Sequence, residues 1–418
     1  MIENINFKFS NISKNLKEDY FHKNDLKNAH FKFLKCLENN ELDCISIVKS
    51  RSQLKIINQN SRIFSKCKDI IIVGTGGSSL GSKMIGSIFE NKKVFIHYLE
   101  NVEPSTNKKI LKTINPESAG LIIISKSGET IETLSQFFFL LNKFIKDNNL
   151  LKKRTLIITE NKKSTLKSIQ ENLGLNFAEH SKTIGGRYSV FSIVGLLPSK
   201  LQHIDIEKIL LGGEEVLNQL TKVNDPYLFP PTQAALIHSK LLKNNFNLNI
   251  FFTYLDSFQN FSLWLRQLWA ESIGKNGVGS TLLNASGTVD QHSQLQLYLD
   301  GPRDKFINVV GMNRPERSPK LSCIINGKNF SNNLHEKTMG QLYFAEMQAT
   351  YKTIEKKKIP LRLIEFSKID EKTVGSLIMC FFLETIYTCF LLNINPFDQP
   401  AVEEGKKLAV KYLKNAKD

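Results

Sequence analysis

The chain has 418 residues, with 56 Lys and Arg against 40 Asp and Glu and a formal charge of +16 at pH 7. That length exceeds one ordinary hydrophobic core and calls for two domains that need no disulfide staples. The six cysteines (Cys36, Cys44, Cys67, Cys323, Cys380, Cys389) form no CxxC pair and have no histidines at zinc-ligand spacing, so they read as reduced thiols of a cytoplasmic protein rather than as metal ligands.

The N-terminal MIENINFKFSNISKNLKEDY is polar and mixed in charge, without the apolar centre of a signal peptide, and predicts no export. Residues 1–65 read as a helical segment with connectors, in which Phe31, Phe33, Leu34 and Leu37 form a candidate buried stripe. From residue 66 the pattern changes. DIIIVG (69–74), VFIHYL (94–99), GLIIIS (120–125) and TLIIT (155–159) are short aliphatic runs with helix-length segments between most of them. Continuous apolar character predicts strands covered on both faces, hence a doubly wound, mainly parallel α/β domain over 66–200.

Ligands on such sheets bind beyond the carboxyl ends of the strands. After the first run comes Gly74-Thr75-Gly76-Gly77-Ser78-Ser79-Leu80-Gly81, which reads either as a tight turn or as an anion cradle of backbone N–H groups at a helix start. It fits neither GxGxxG nor a P-loop. After the third run, Ser125-Lys126-Ser127-Gly128-Glu129-Thr130 supplies hydroxyls that cap a helix or hold a phosphate. The two features on one sheet make a sugar phosphate the leading ligand class. In Gly185-Gly186-Arg187-Tyr188-Ser189 two glycines precede a guanidinium, which is either a structural arginine on a turn or a fork aimed at anionic oxygens.

A second α/β domain is predicted over 201–395, with strands at NIFFTYL (249–255), FINVVG (306–311) and IPLRLIEF (359–366) and helices near 257–271, 335–355 and 370–392. The boundary falls between Pro198 and Pro231. Ser376–Ile394 is apolar enough to suggest a membrane span, but Glu384 in its middle favours a helix buried in a large core. The densest chemistry lies in QLWAESIGKNGVGSTLLNASGTVDQH (267–292). There an apolar helix carrying Phe258, Phe261, Leu263, Trp264, Leu268 and Trp269 runs into Glu271, and a Gly- and Asn-rich loop leads to Asp290, Gln291 and His292. A carboxylate against apolar walls would have its pKa raised toward that of a general base; the alternative is a solvent-facing Glu271 on an amphipathic helix. Residues 396–418 read as a loop broken by Pro396 and Pro400, then a basic helix. Positive charge raises nucleic acid as a partner. The lysines are spread, however, with short clusters at Lys152-Lys153-Arg154 and Lys356-Lys357-Lys358 and no interleaved aromatics, which argues against nucleic-acid binding.

In order, GTGGSSLG, SKSGETIET, GGRYS, QLWAESIGKNG, GTVDQH and NPFDQPAVEEGK resemble the motifs of the glucose-6-phosphate isomerase family, over about Asp69 to Lys406. The resemblance implies two sugar-isomerase-type domains, a homodimer with its active site near the subunit interface, and neither metal nor organic cofactor. It implies sugar-phosphate binding by Gly77, Ser78, Ser125, Lys126 (through its backbone), Ser127, Thr130, Gly186, Gln267 and Gln399. Glu271 would be the base, Arg187 the stabiliser of an enediolate, and His292 and Lys406 the groups for ring opening, with His292 reaching in from the neighbouring subunit. The implied reaction is interconversion of glucose 6-phosphate and fructose 6-phosphate. The chain departs from the family at Ala401, where Gly is usual, and Glu129 puts a negative charge beside the cradle. A catalytically silent sugar-phosphate sensor would keep the serines but has no use for Glu271, Arg187, His292 and Lys406 together.

Overall fold

The computed structural model describes residues 2–12, 20–89, 93–115, 118–144 and 148–415. In chain order β1 (Ile5–Ser10) precedes β2 (Asp69–Val73), β3 (Phe95–Leu99), β4 (Ala119–Ile124), β5 (Thr155–Thr159) and β6 (Asn176–Glu179). Then come β7 (Leu248–Thr253), β8 (Thr281–Ser286), β9 (Lys305–Met312), a short hairpin of β10 (Ile324–Ile325) and β11 (Lys328–Asn329), and β12 (Leu361–Phe366). Among these, two five-stranded sheets form, ordered β3-β2-β4-β5-β6 and β1-β12-β9-β7-β8. The first is parallel throughout. In the second, β1 is the antiparallel member, registered along β12 from Ile5 opposite Phe366 to Ser10 opposite Leu361.

Both faces of each sheet are covered, as the continuous aliphatic runs require. Because side chains alternate along a strand, Ile70, Ile72, Ile122 and Ile124 enter a large central core, while Ile71, Val73, Leu121 and Ile123 enter a separate outer one. The second sheet divides in the same way. Phe251, Val310 and Ile364 face the central core, and Ile250, Phe252, Ile307 and Val309 face an outer core of their own. The central core thus lies between the two sheets, threaded by the helix Glu371–Leu391, in which Thr373 to Phe390 are all buried. Among the described residues this helix has the length and hydropathy of a membrane span, and 94% of its apolar window is buried within the fold. Its closest neighbour is the helix Ile206–Lys222. A Cβ on Gly212 would come within 1.9 Å of Lys372 O, and one on Gly375 within 1.9 Å of Ile209 O, so only glycine lets the two backbones meet.

Besides the short β10–β11 hairpin, three strands of the two large sheets differ from the sequence expectation, and all three lie at sheet edges. β1 falls in the segment read as helical, β8 in the stretch read as loop, and β6 was not anticipated. An edge strand needs little apolar surface: β8 fully buries Leu282 and Ala285, and β1 buries Ile5. The stripe on the helix Tyr20–Glu38 also shifts. Leu26, Ala29 and Phe33 are buried at helical spacing, while Phe31 is 71% exposed.

Candidate active site

The first sheet has the doubly wound order whose switch point lies between its first and third strands, here β2 and β4. The two candidate anion loops leave those neighbouring strands. After β2 the chain turns at Gly76, with φ of 62°, into a short turn Gly76–Ser78 and the helix Leu80–Ile88. Ser79 Oγ donates to Glu100 Oε1 at 2.7 Å, and Glu100 also pairs with Lys83. After β4, Gly128 adopts φ of 72°, its N–H donates to Ser125 Oγ at 3.1 Å, and Ser125 Oγ lies 2.9 Å from Thr130 Oγ1. Lys126 Nζ is turned aside onto the carbonyls of Lys182 (2.8 Å) and Ile184 (3.1 Å). The Glu129 carboxylate also points away from the loop, accepting from Thr165 N at 2.6 Å and Thr165 Oγ1 at 2.8 Å at the start of the helix Thr165–Leu173.

The GGRYS turn packs directly on the first of these loops. A Cβ on Gly77 would lie 2.2 Å from Gly186 C, and Ser189 Oγ donates to Gly77 O at 3.1 Å. This contact aims Arg187 into the space between the two sheets, where it is 2% exposed. All five of its N–H donors are used. Nε donates to Ser272 Oγ (2.8 Å), Nη1 to Glu271 Oε2 (3.2 Å) and Gln399 Oε1 (2.7 Å), and Nη2 to the carbonyls of Pro396 (2.6 Å) and Asp398 (3.0 Å).

Glu271 comes from the helix Gln259–Ile273, which buries Phe261, Trp264, Leu265, Leu268 and Trp269 on one side. Gln267 and Glu271 are one turn apart on one face, and Gln267 Nε2 donates to Glu271 Oε1 at 2.9 Å. The apolar walls expected around Glu271 are therefore not there: its side chain is 33% exposed and its polar neighbours are Arg187 and Gln267. The helical period turns it away from Trp269, whereas Trp264, two turns back on the same face, is itself fully buried. The carboxylate edges a cleft of about 690 Å³ lined also by Lys275, Asn395, Asp398, Gln399 and Ala401.

A family profile described as phosphoglucose isomerase matches residues 52–418. The chain belongs to this family. It is 33% identical over its whole length to a probable glucose-6-phosphate isomerase of Methanococcus maripaludis, covering 90% of that protein. It is 31% identical to the glucose-6-phosphate isomerase of Rubrobacter xylanophilus over 81% of each chain. Among solved structures, a hypothetical protein from Thermus thermophilus superposes with a TM-score of 0.86 at 27% identity, over 98% of this chain and 100% of that one. A glucose-6-phosphate isomerase from Chlamydia trachomatis shares the fold, with a TM-score of 0.82 at 18% identity over 99% and 89% of the two chains.

Of the residues that the family resemblance singles out, a single chain brings Arg187, Gln267, Glu271 and Gln399 into mutual contact and sets Gly77 against Gly186. His292 and Lys406 stand apart. His292 is exposed at the end of the short helix Gly287–Gln291, and Lys406 is 63% exposed and pairs with Glu403 at 2.7 Å on the helix Glu403–Asn415. Neither lines the clefts on the two sides of Glu271. Three residues with no role in the sequence reading join the cluster: Ser272, which also lies 3.1 Å from Tyr188 OH, and the ion pair of Lys275 with Asp398 at 2.6 Å. Their position inside the recognised motifs was the available signal, but no rule of spacing assigns a partner across more than eighty residues.

Proposed function

We propose that this protein is a glucose-6-phosphate isomerase, interconverting glucose 6-phosphate and fructose 6-phosphate through a cis-enediolate in glycolysis and gluconeogenesis. The observation that carries this reading is Glu271, a half-open carboxylate held between Gln267 and the immobilised cation Arg187 at the edge of a cleft. The substrate phosphate takes the place beyond β2 and β4, where Gly77, Ser78, Ser125, Ser127, Thr130 and the backbone of Lys126 meet two helix starts. Hydroxyl contacts such as Ser125 to Thr130 are exchanged for phosphate oxygens.

With the open-chain sugar in the cleft, Glu271 removes the proton from C2 of the aldose and returns it to C1 while the hydroxyl proton passes from O2 to O1, giving the ketose. Negative charge develops on the oxygens at C1 and C2. Arg187 meets it by moving one Nη1 hydrogen bond from Glu271 to the enediolate, while its other four bonds keep the guanidinium in place. Gln267 and Gln399 bracket the same space and contact the sugar. Gly186 lets the Arg187 turn approach the phosphate loop.

Ring opening falls to His292 and Lys406. His292 lies off the cleft of its own chain, its backbone N–H donating to Val289 O at 3.1 Å, and Val289 and Leu297, nearby in sequence, are 69% and 53% exposed. That arrangement supports a homodimer in which one subunit's His292 completes the other's site.

The test is proton exchange with fructose 6-phosphate in deuterated water. Deuterium at C2 of the glucose 6-phosphate formed, abolished in Glu271→Gln while circular dichroism is unchanged, is the expected result. Exchange that survives in Glu271→Gln places the base elsewhere; a wild-type protein without turnover on this substrate removes the reading.

A further inference from the structure

Arg187 can act on the enediolate only if its fork points in one direction, and much of what points it lies on one loop. Two of its five hydrogen bonds go to backbone carbonyls of that loop, those of Pro396 and Asp398, and a third goes to the Gln399 side chain. Carbonyls on an irregular loop aim a guanidinium no better than the loop itself is held. Within the loop, Phe397 N donates to Asn395 Oδ1 at 3.0 Å, which shapes the turn without anchoring it to the body of the protein. The Phe397 ring packs on Tyr188 with centroids 5.4 Å apart, and the polar anchor comes from Lys275. Its Nζ donates to Asn395 O and lies 2.6 Å from Asp398 Oδ1, so one ammonium grips both ends of the segment that Arg187 reads.

Lys275 is itself rigidly presented. Asn276 and Gly277 have φ of 53° and 73°, and Lys275 and Val278 exchange backbone hydrogen bonds of 3.0 and 2.9 Å, the pattern of a two-residue hairpin turn. The turn leaves the helix that carries Glu271 at Gly274, so the base and the anchor share one rigid support. The Lys275 side chain is 9% exposed, and the Asp398 carboxyl is held below the usual range chiefly by its bond to Lys275.

We infer that Lys275 is a positioning residue for the isomerisation: its grip on Asn395 and Asp398 seats the loop 395–399 and thereby fixes Arg187 and Gln399 opposite Glu271. The inference rests on the isomerase reading and deepens it. Lys275 touches neither the phosphate loops nor, in this role, the reacting carbons, so its loss acts on the chemical step. Misplacing a catalytic group by about 1 Å is enough to lower a rate by roughly 100-fold.

The experiment compares wild type with Lys275→Met, Lys275→Arg and Asp398→Asn as full chains, by steady-state kinetics on fructose 6-phosphate and by thermal unfolding. Wild-type activity is the control for the isomerase reading itself: if it is absent, that reading fails and the variants say nothing about catalysis. With wild type active, Lys275→Met is expected to lower kcat roughly 10- to 100-fold with KM within about threefold, and Lys275→Arg to recover most of the loss. Asp398→Asn removes one of the two contacts and is expected to lower kcat by a smaller factor, again at constant KM. It stands as the test if Lys275→Met does not fold. Unchanged kcat in both Lys275→Met and Asp398→Asn overturns the inference. So does a loss shared by kcat and KM that tracks lowered thermal stability and is not rescued by arginine, since that marks a purely structural lysine.

Discussion

Two buried arginines in this protein each face a glutamate from an apolar helix, and they are used in opposite ways. Arg362 on β12 and Glu384 in the middle of the helix Glu371–Leu391 have side chains 1% and 3% exposed. They pair through both carboxylate oxygens, Nη1 to Oε2 at 2.6 Å and Nη2 to Oε1 at 3.2 Å. Nε donates to Asn308 Oδ1 at 2.8 Å, and His238 Nε2 lies 3.0 Å from Glu384 Oε1. Arg187 is equally buried, but Glu271 gives it one contact at 3.2 Å and keeps a third of its side chain open. The first carboxylate is fully committed to the protein. The second accepts a single hydrogen bond on each oxygen, one from Gln267 and one from Arg187, and so keeps lone pairs open, beside a cation that can change partners without moving. Apolar surroundings in the sequence were a poor guide here, because the more deeply buried glutamate is the structural one. What sets Glu271 apart is a fixed cation combined with an unfinished hydrogen-bond shell.

The contrast can be broken by substitution. Glu271→Gln is expected to lower kcat by about 10² to 10⁴, the range for loss of a general base, with the free energy of unfolding changed by less than about 1 kcal/mol because the pair is partly exposed. Turnover assays alongside urea unfolding measure both. Glu384→Ala is expected to do the reverse. It leaves Arg362 buried without its carboxylate and lowers stability by about 3–5 kcal/mol, read from the urea midpoint at constant slope, while turnover per folded molecule stays near wild type.

Acid acts first on the histidine that flanks the structural pair. Burial, outweighing the attraction of Glu384, holds the His238 pKa below its ordinary 6.5. The unfolded chain therefore takes up the proton first, so this contribution to stability is complete above about pH 6.5 and is lost as pH falls from there through the folded value. His180 and His30 are lowered by burial in the same direction. Burial would raise the Glu384 carboxyl, but Arg362 and His238 together hold it below the ordinary 4.5, so its share is lost only at still lower pH. The urea midpoint is expected to fall between pH 7 and pH 5.5 and to fall less in His238→Phe. A midpoint independent of pH over that interval would contradict this assignment. The smallest effect belongs to Arg362→Met combined with Glu384→Leu. Replacing a whole buried pair by apolar side chains of similar size is expected to leave stability within about 1 kcal/mol of wild type or to raise it.

Much of the fold was legible in the chain because parallel strands covered on both faces must be apolar without interruption. β2, β4, β5, β7, β9 and β12 announce themselves for that reason. β1, β6 and β8 escaped because an edge strand is held by main-chain hydrogen bonds and a few buried side chains, a signal that a six-residue window does not carry. The two candidate anion loops were legible because their chemistry is local: each is a glycine with positive φ beside hydroxyls at the start of a helix.

By itself, the amino-acid sequence determined that this is a doubly wound α/β protein, that its loops after β2 and β4 suit an anion, and that Glu271 and Gln267 share one helical face. Each of these depends on residues within a few turns of one another. Only the tertiary structure decided that Glu271 is half open rather than walled in, that Glu129 turns away to Thr165, and that Arg187 spends its donors on residues 271, 272, 396, 398 and 399. It also decided that Lys275 holds the loop that aims Arg187. The reason is physical. Burial and hydrogen-bond partnership are properties of the packed neighbourhood, and here that neighbourhood is assembled from segments more than 200 residues apart, which no local pattern of side chains encodes.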